Sequence, residues 1–266
     1  MRIPVLRRVT VLLALSLLCA LPVLAQTPKK LLVVTVTKGF RHSSIPTAEQ
    51  VLAKLADQSK AFTLDYARTD EELATKMTPA ALAGYDGFIF ANTTGILPIP
   101  DKVAFLNAVK GGKAFIGMHA ASDTYHGKDT VDPYIEMLGG EFLSHGAQAG
   151  VECLVLDPDH PATKHFKDVG GVYCIQQEEI YLIQNYDSKK VRDLLILDKH
   201  PNNKKQLGHF PVTWCKNYGR GRVFYTTLGH REDVWENTLY EKMILGGIKW
   251  ALGLEPGEAT PLPDQK

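Results

Sequence analysis

The stretch that decides the fold is residues 113–123, KAFIGMHAASD. An apolar run passes through Gly117 and ends before His119, which is followed by two alanines. A strand that ends in a tight turn of this kind raises one side chain over the edge of a parallel sheet. The side chain raised here is an imidazole, which can transfer protons near neutral pH or ligate a metal. The alternative is a histidine that is hydrogen bonded at the strand end for structural reasons.

The sequence before residue 113 alternates between apolar runs and helix-start signals. Continuous apolar runs predict buried strands, and Thr69 and Thr78 are placed to begin helices as hydroxyl caps. The predicted strands are residues 31–37, 62–66 and 86–91, and the predicted helices include 45–55 and 100–109. This alternation predicts right-handed βαβ units, and therefore an α/β fold with a parallel sheet flanked by helices.

Beyond residue 150 the pattern changes to short strands separated by turns. These strands are residues 151–156, 180–184, 193–197, 211–215 and 222–228, and a last amphipathic helix spans 235–252. Neighbouring parallel strands need long crossover connections, whereas antiparallel strands do not. The C-terminal half is therefore expected to add antiparallel strands to the parallel sheet.

The first 25 residues are typical of a secretory signal. Arg2, Arg7 and Arg8 precede an apolar run that ends in the small-residue cleavage site Val23-Leu24-Ala25. An uncleaved anchor is the alternative. We expect a signal peptide at residues 1–25, a single domain at 26–253 and a flexible tail at 254–266. The protein is then exported, to the periplasm or the extracellular space.

The mature chain is close to neutral. Removal of the signal leaves 27 basic and 29 acidic residues, a net charge near −2. No basic run or cationic helix face is present, so neither nucleic acid nor, after signal cleavage, a membrane is an expected partner. With these two classes set aside, we expect a small molecule as the partner.

Three cysteines remain after the signal is removed. An oxidising compartment permits one disulfide bond, and Cys153 with Cys174 is the pair that we expect if one forms. Buried free thiols are the alternative, because a chain of this length needs no covalent cross-link.

Polar side chains follow several predicted strands where those strands end. Ligands of open α/β sheets bind outside the carboxyl ends of the strands, so such side chains are candidates for a site. Imidazoles come from His42, His119 and His230, and Glu179 lies beside a later strand. Asn92 and Asp123 also follow strands. Each has a plain alternative, as a loop histidine or a solvated polar side chain.

Three familiar chemistries are not indicated. A nucleophilic Cys–His pair needs a cysteine at the turn where His119 stands. A structural zinc site needs closely spaced Cys or His pairs, and a nucleotide cofactor needs a glycine-rich phosphate loop after the first strand. A divalent metal held by ligands from separate segments, such as His42, His119, His230 and Glu179, is the one cofactor that the sequence leaves possible.

Six motifs occur in order along residues 31–253. They are GFRHSS (39–44), GMHAASDT (117–124), DHP (159–161), EEIY (178–181), PVTW (211–214) and GRGRVFYTTLGH (219–230). Together they resemble the ThuA-like family, the trehalose-utilisation proteins. The resemblance implies a class I glutamine amidotransferase-like fold, with a flavodoxin-like sheet. In the amidotransferases a cysteine occupies the position of His119, so the resemblance implies that this chain is not a glutaminase.

The resemblance also implies carbohydrate metabolism, notably of disaccharides oxidised to 3-keto sugars. We therefore expect an enzyme acting on keto sugars or their glycosides, as a hydrolase, lyase or isomerase. A ketone acidifies the neighbouring C–H, so His119 and Glu179 are assigned as the acid–base pair. The other candidates would bind the sugar: His42, His230, Asp123, Asn92, and Tyr125 and Trp214 as stacking surfaces. The alternative is a non-catalytic carbohydrate-binding protein on the same fold.

Overall fold

The computed structural model describes residues 27–127, 129–203 and 206–263. The expected signal peptide lies outside these ranges and stays a prediction. In the described part of the chain, no helix is long and apolar enough to cross a bilayer.

Five parallel strands form the first part of a nine-stranded sheet. They are β1 (Lys29–Val34), β2 (Phe62–Ala67), β3 (Gly87–Ala91), β4 (Ala114–Met118) and β11 (Gly221–Thr226). Their order in the sheet is β2-β1-β3-β4-β11, which is the strand order of flavodoxin-like folds. The expected fold class is confirmed.

Four antiparallel strands continue the sheet beyond β11. They are, in spatial order, β10 (Leu207–Tyr218), β9 (Arg192–Lys199), β6 (Ala149–Val155) and β7 (Val172–Glu178). A separate antiparallel pair is formed by β5 (Glu141–His145) and β8 (Tyr181–Gln184). The antiparallel additions are thus confirmed, with one correction. The strand expected at 222–228 was grouped with them, but as β11 it runs parallel to β4.

Helices cover both faces of the parallel strands. They are α1 (Ile45–Ser59), α2 (Asp70–Lys76), α3 (Pro79–Leu82), α4 (Lys102–Lys110), α5 (Pro133–Leu138), α6 (Glu232–Trp235) and α7 (Thr238–Ala251). Thr69 and Thr78 cap α2 and α3 as predicted. The helix predicted at 235–252 begins later, because the Asn237 side chain accepts hydrogen bonds from the first turn of α7 and caps it there.

Alternate residues of the central strands enter two separate hydrophobic cores. Phe115 packs on one side of the sheet and Ile116 on the other. Burial on both faces explains why these strands appear in the sequence as continuous apolar runs.

The tail that follows α7 lies against the domain as far as it is described. The indole of Trp250 donates to the Gly257 carbonyl, and Arg192 donates to the Thr260 carbonyl. The described part of the tail is therefore held by more hydrogen bonds than we expected from its proline-rich composition.

The structure contains no disulfide bond between Cys153 and Cys174. Cys174 lies opposite Glu152 in the β6–β7 ladder, one position away from Cys153. Because neighbouring side chains of a strand point to opposite faces, Cys153 is buried while Cys174 is exposed. Both cysteines are therefore free thiols, which is the alternative given above, although only Cys153 is buried.

Candidate active site

Four segments meet at the carboxyl edge of the parallel strands. His42 follows β1, His119 follows β4, Glu179 precedes β8 and His230 follows β11. One donor atom from each of these side chains lies within 4.8 Å of the others. The structure therefore brings together the imidazoles and the carboxylate that we selected from strand order.

The turn at His119 has the local geometry of a side chain raised over a sheet edge. Its backbone has φ of +48°, an uncommon value for a residue with a Cβ atom. The Tyr225 hydroxyl holds this conformation by donating to the His119 carbonyl over 2.7 Å. Gly117 is needed before the turn, because a Cβ there would lie 2.9 Å from the Tyr225 ring.

The protonated nitrogen of His119 follows from its neighbours. Nδ1 lies 2.7 Å from the carbonyl oxygen of Thr227, which only accepts, so Nδ1 carries the hydrogen. The lone pair is then on Nε2, which lies 2.9 Å from the Tyr181 hydroxyl and 3.2 Å from Nε2 of His42. His119 is completely buried. Its imidazole is neutral, because burial and the neighbouring His42 lower its pKa well below the usual value.

His42 is neutral for the same reason. Burial, and after it the charge of His230, lowers the pKa of His42 to about 4. Its Nδ1 makes no hydrogen bond within the described ranges. His42 therefore enters the cluster as an uncharged imidazole.

Glu179 and His230 form the charged pair of the cluster. Oε2 of Glu179 lies 3.3 Å from Nδ1 of His230, and Oε1 lies 3.1 Å from Nδ1 of His145. Burial opposes ionisation of Glu179, but the neighbouring His230 outweighs it and lowers the pKa of the carboxyl. Burial likewise opposes the charged form of His230, and the Glu179 carboxylate raises the pKa of that imidazole.

Glu178 joins the two loops that carry this pair. Its carboxylate accepts from the backbone N–H of Glu179 over 2.7 Å and from that of Gly229 over 3.2 Å. The carboxylate is fully buried, and burial raises the pKa of Glu178 to about 7. Glu178 is thus a positioning residue for Glu179 and for His230.

A cleft of about 240 Å³ opens onto the cluster. This volume lies below the range of roughly 300–1,000 Å³ that is typical of ligand pockets, so the cleft would hold only part of a disaccharide. The lining residues are Phe40, His42, Asp123, Phe142, His145, Glu179, Tyr181 and His230. His119 is not among them, so the residue at the turn lies beneath the floor of the cleft.

Three predicted substrate-binding residues do not reach the cleft. Tyr125 donates its hydroxyl to the Leu97 carbonyl, and the Trp214 indole donates to that of Leu138. Both rings are buried in the hydrophobic core, so the expectation that they would stack on a sugar is corrected. Asn92 is also buried, where its amide donates to the Gly229 carbonyl over 3.1 Å. Asp123 lines the cleft and lies 3.0 Å from Nδ1 of His126.

Four residues of the site were not assigned to it from the sequence. His145 and Tyr181 contact the cluster directly, and Phe40 and Phe142 form apolar walls. Phe40 and Tyr181 lie in two of the motifs, GFRHSS and EEIY, which is the signal that could have identified them. His145 is brought in by β5, a strand that the sequence did not predict.

The comparisons with known proteins agree with this architecture. Residues 30–251 match the profile of the ThuA family, described as trehalose utilisation. No curated protein sequence matches the chain. A ThuA-like protein from Bacteroides uniformis superimposes with a TM-score of 0.63 at 22% identity, over 85% of this chain and 93% of that one. For a ThuA-like protein from Parabacteroides merdae, the TM-score is 0.66 at 17% identity, over 85% and 90% of the two chains.

The same fold occurs within a larger enzyme. A β-galactosidase from a Rahnella species superimposes with a TM-score of 0.56 at 13% identity, over 90% of this chain and 33% of that chain. Like the two preceding matches, it is too distant in sequence to establish more than the fold.

Proposed function

Because the chain belongs to the ThuA family of trehalose-utilisation proteins, we propose that it is an exported enzyme that acts on an oxidised, 3-keto sugar or its glycoside. The observation that carries the proposal is the contact between His145 and Glu179 at the wall of the cleft. An imidazole oriented by a carboxylate is an arrangement suited to general-base catalysis.

The neighbours of His145 determine which of its nitrogens is basic. Nδ1 lies 3.1 Å from Oε1 of Glu179 and 3.1 Å from the Gly146 carbonyl. Both neighbours accept hydrogen bonds when Glu179 is ionised, so Nδ1 carries the hydrogen and Nε2 has the free lone pair. The His145 side chain is 44% exposed, so a bound ligand can approach it.

His145 suits proton abstraction better than His119 does. His119 is completely buried and does not line the cleft, whereas a general base must come within about 3 Å of the proton it removes. We therefore assign His145 as the base and Glu179 as the residue that orients it. His119 then supports His42 and Tyr181 from beneath the cleft.

The reaction begins with removal of the C–H proton beside the ketone. His145 accepts this proton, and the C–H electron pair forms an enolate whose oxygen takes up negative charge. His230 lines the cleft and has a raised pKa because of Glu179, so its imidazolium is placed to stabilise that charge. Isomerisation follows if His145 returns the proton to the former ketone carbon while the proton of the adjacent hydroxyl passes to the enolate oxygen. Elimination follows if the enolate electron pair forms a C=C bond as the glycosidic C–O bond breaks, and the departing oxygen takes the proton from His145.

Proton exchange tests this function without knowledge of the final product. The protein is incubated in D₂O with 3-keto-trehalose and a panel of 3-keto-glucosides, and loss of the proton beside the ketone is followed by NMR. We expect exchange with the wild type and a decrease of about 10²-fold or more for His145→Gln. His165→Gln, which replaces a half-buried histidine outside the cleft, is the matched control and should exchange at the wild-type rate.

Saturable binding of these sugars without exchange or turnover would overturn the proposal. That result would instead support the non-catalytic carbohydrate-binding protein.

A further inference from the structure

We propose that His42, His119, Glu179 and His230 bind one divalent transition-metal ion. The four side chains come from four separate segments, yet one donor atom of each lies within 4.8 Å of the others. The inference rests on the proposed function only for its chemical consequence, because ion binding requires no substrate.

Three of the six distances between ligand atoms of the cluster are close to those of atoms that share one metal ion. Metal–ligand bonds of 2.0–2.2 Å in a tetrahedral site place neighbouring ligand atoms about 3.4 Å apart. Nε2 of His42 and Nε2 of His119 are separated by 3.2 Å. Oε2 of Glu179 lies 3.6 Å from Nε2 of His119 and 3.3 Å from Nδ1 of His230. Only small side-chain shifts would bring these atoms around one ion.

The Nδ1 hydrogen bond of His119 is that of a metal ligand, and a bound ion would displace the Tyr181 hydroxyl from Nε2. Nδ1 donates to the Thr227 carbonyl, which directs the Nε2 lone pair into the cluster. Metal-binding histidines generally donate their second nitrogen in this way to a carbonyl or carboxylate. His42 has no corresponding acceptor in the described ranges, which makes it the less firmly oriented ligand.

Glu179 connects the ion to the proposed base. Oε2 faces His119 and His230, whereas Oε1 faces His145. One carboxylate can therefore ligate the ion with Oε2 while it orients His145 with Oε1. The proposed base and the proposed metal site are thus compatible.

The donor set determines the class of ion. Three imidazole nitrogens and one carboxylate oxygen suit Zn²⁺, Mn²⁺, Co²⁺ or Ni²⁺, whereas Ca²⁺ and Mg²⁺ prefer sites made of oxygen. His42, Glu179 and His230 line the cleft, so an ion that takes a fifth ligand would take it from the cleft. An ion there would polarise the ketone oxygen of a substrate, in place of the His230 imidazolium.

Direct measurement of ion binding tests the site. Tag-free protein is dialysed against a chelator, the chelator is removed, and Zn²⁺, Mn²⁺, Co²⁺ and Ni²⁺ are titrated by calorimetry. We expect one ion per chain, visible d–d bands with Co²⁺ that report nitrogen and oxygen ligands, and a rise in Tm with ion concentration. Failure of all four ions to bind would overturn the proposal.

Two variants and a control locate the bound ion. Glu179→Gln and His230→Ala each remove a ligand and should weaken binding by about 100-fold or more, while circular dichroism verifies that they fold. His209→Ala is the matched control, because His209 is also a half-buried histidine beside a carboxylate, 2.6 Å from Asp193, but lies outside the cleft. Unchanged affinity in both ligand variants would place the ion elsewhere and overturn the proposal.

The two proposals can fail separately. An ion that binds in the cluster without any proton exchange from a keto sugar would remove the proposed function and leave the metal site. Full exchange by chelator-treated protein, with no ion bound in any of the four titrations, would remove the metal site and leave the proposed function.

Discussion

Nε2 of His42 lies 3.2 Å from Nε2 of His119, although 77 positions separate the two residues in the sequence. Burial lowers the pKa of both imidazoles, so both rings are held neutral. The pair ties the loop after β1 to the turn after β4. It also makes the stability of the fold depend on pH.

We predict that acid destabilises the protein through His42. In the unfolded chain His42 binds a proton below about pH 6.5, whereas in the folded chain it does so only below about pH 4. Between these values the unfolded state holds more protons, so the free energy of unfolding falls as pH falls through this window. The shift corresponds to about 3 kcal/mol for this one side chain.

Urea unfolding at pH 7, 6, 5 and 4, in the presence of a chelator, measures this effect. His42→Asn lacks the titrating ring, so its free energy of unfolding should fall less steeply with acid than that of the wild type. Parallel pH profiles of the two proteins would contradict the prediction.

The thiols provide a test of the β6–β7 register. We predict that iodoacetamide modifies Cys174 in the folded protein, because that side chain is exposed. Cys153 and Cys215 should react only after unfolding, since both are buried and burial raises the pKa of each thiol. Mass spectrometry of non-reduced protein reports the modified sites. Recovery of a peptide that joins Cys153 to Cys174 would contradict the structure.

The parallel half of the fold could be predicted because its signals are local. Residues 31–34 are all buried, so the strand appears as an unbroken apolar run, and the caps at Thr69 and Thr78 lie within a few residues of the helices they begin. The cluster could be predicted for a related reason. Strand ends of a parallel sheet share one edge, so the residues after β1, β4 and β11 had to meet.

The rest of the site depends on contacts between distant parts of the chain. β5 is only partly buried and, among the described strands, pairs with β8 alone, so its residues carry no clear apolar pattern. That pairing places His145 opposite Tyr181 and so brings both to the cleft. Nothing in the sequence near either residue specifies the register. Aromatic identity alone is equally uninformative, because Tyr125 and Trp214 are core residues while Phe40 and Phe142 line the cleft.

Gly229 fixes the direction in which His230 leaves β11, and we predict that Gly229→Ala is strongly destabilising. Its φ is +117°, and a Cβ there would lie 2.7 Å from the Tyr240 hydroxyl and 3.1 Å from the Trp235 indole nitrogen. Both ring groups donate hydrogen bonds at this turn, to Leu228 and Gly229. We expect a loss of more than about 2 kcal/mol in urea unfolding.

Gly171→Ala separates the two causes of that loss. Gly171 has φ of +79° with nothing within 4 Å of the added Cβ, so it carries backbone strain without a steric clash. We expect this control to lose about 1–2 kcal/mol. Equal losses in the two variants would mean that the contacts with Tyr240 and Trp235 do not matter.

We predict that loss of the buried carboxylate of Glu178 destabilises the protein and loosens the loops of the site. Glu178→Gln replaces one of two accepting oxygens by an NH₂ group, which cannot accept from the N–H of Glu179 or of Gly229 that it then faces. An unsatisfied buried donor costs about 1–3 kcal/mol, so urea unfolding should report a loss in that range. Glu232→Gln is the control, because Glu232 is an exposed acid beside the same cluster and should change stability by less than about 0.5 kcal/mol. If both variants unfold at the wild-type midpoint, Glu178 does not hold the loops of Glu179 and His230 together.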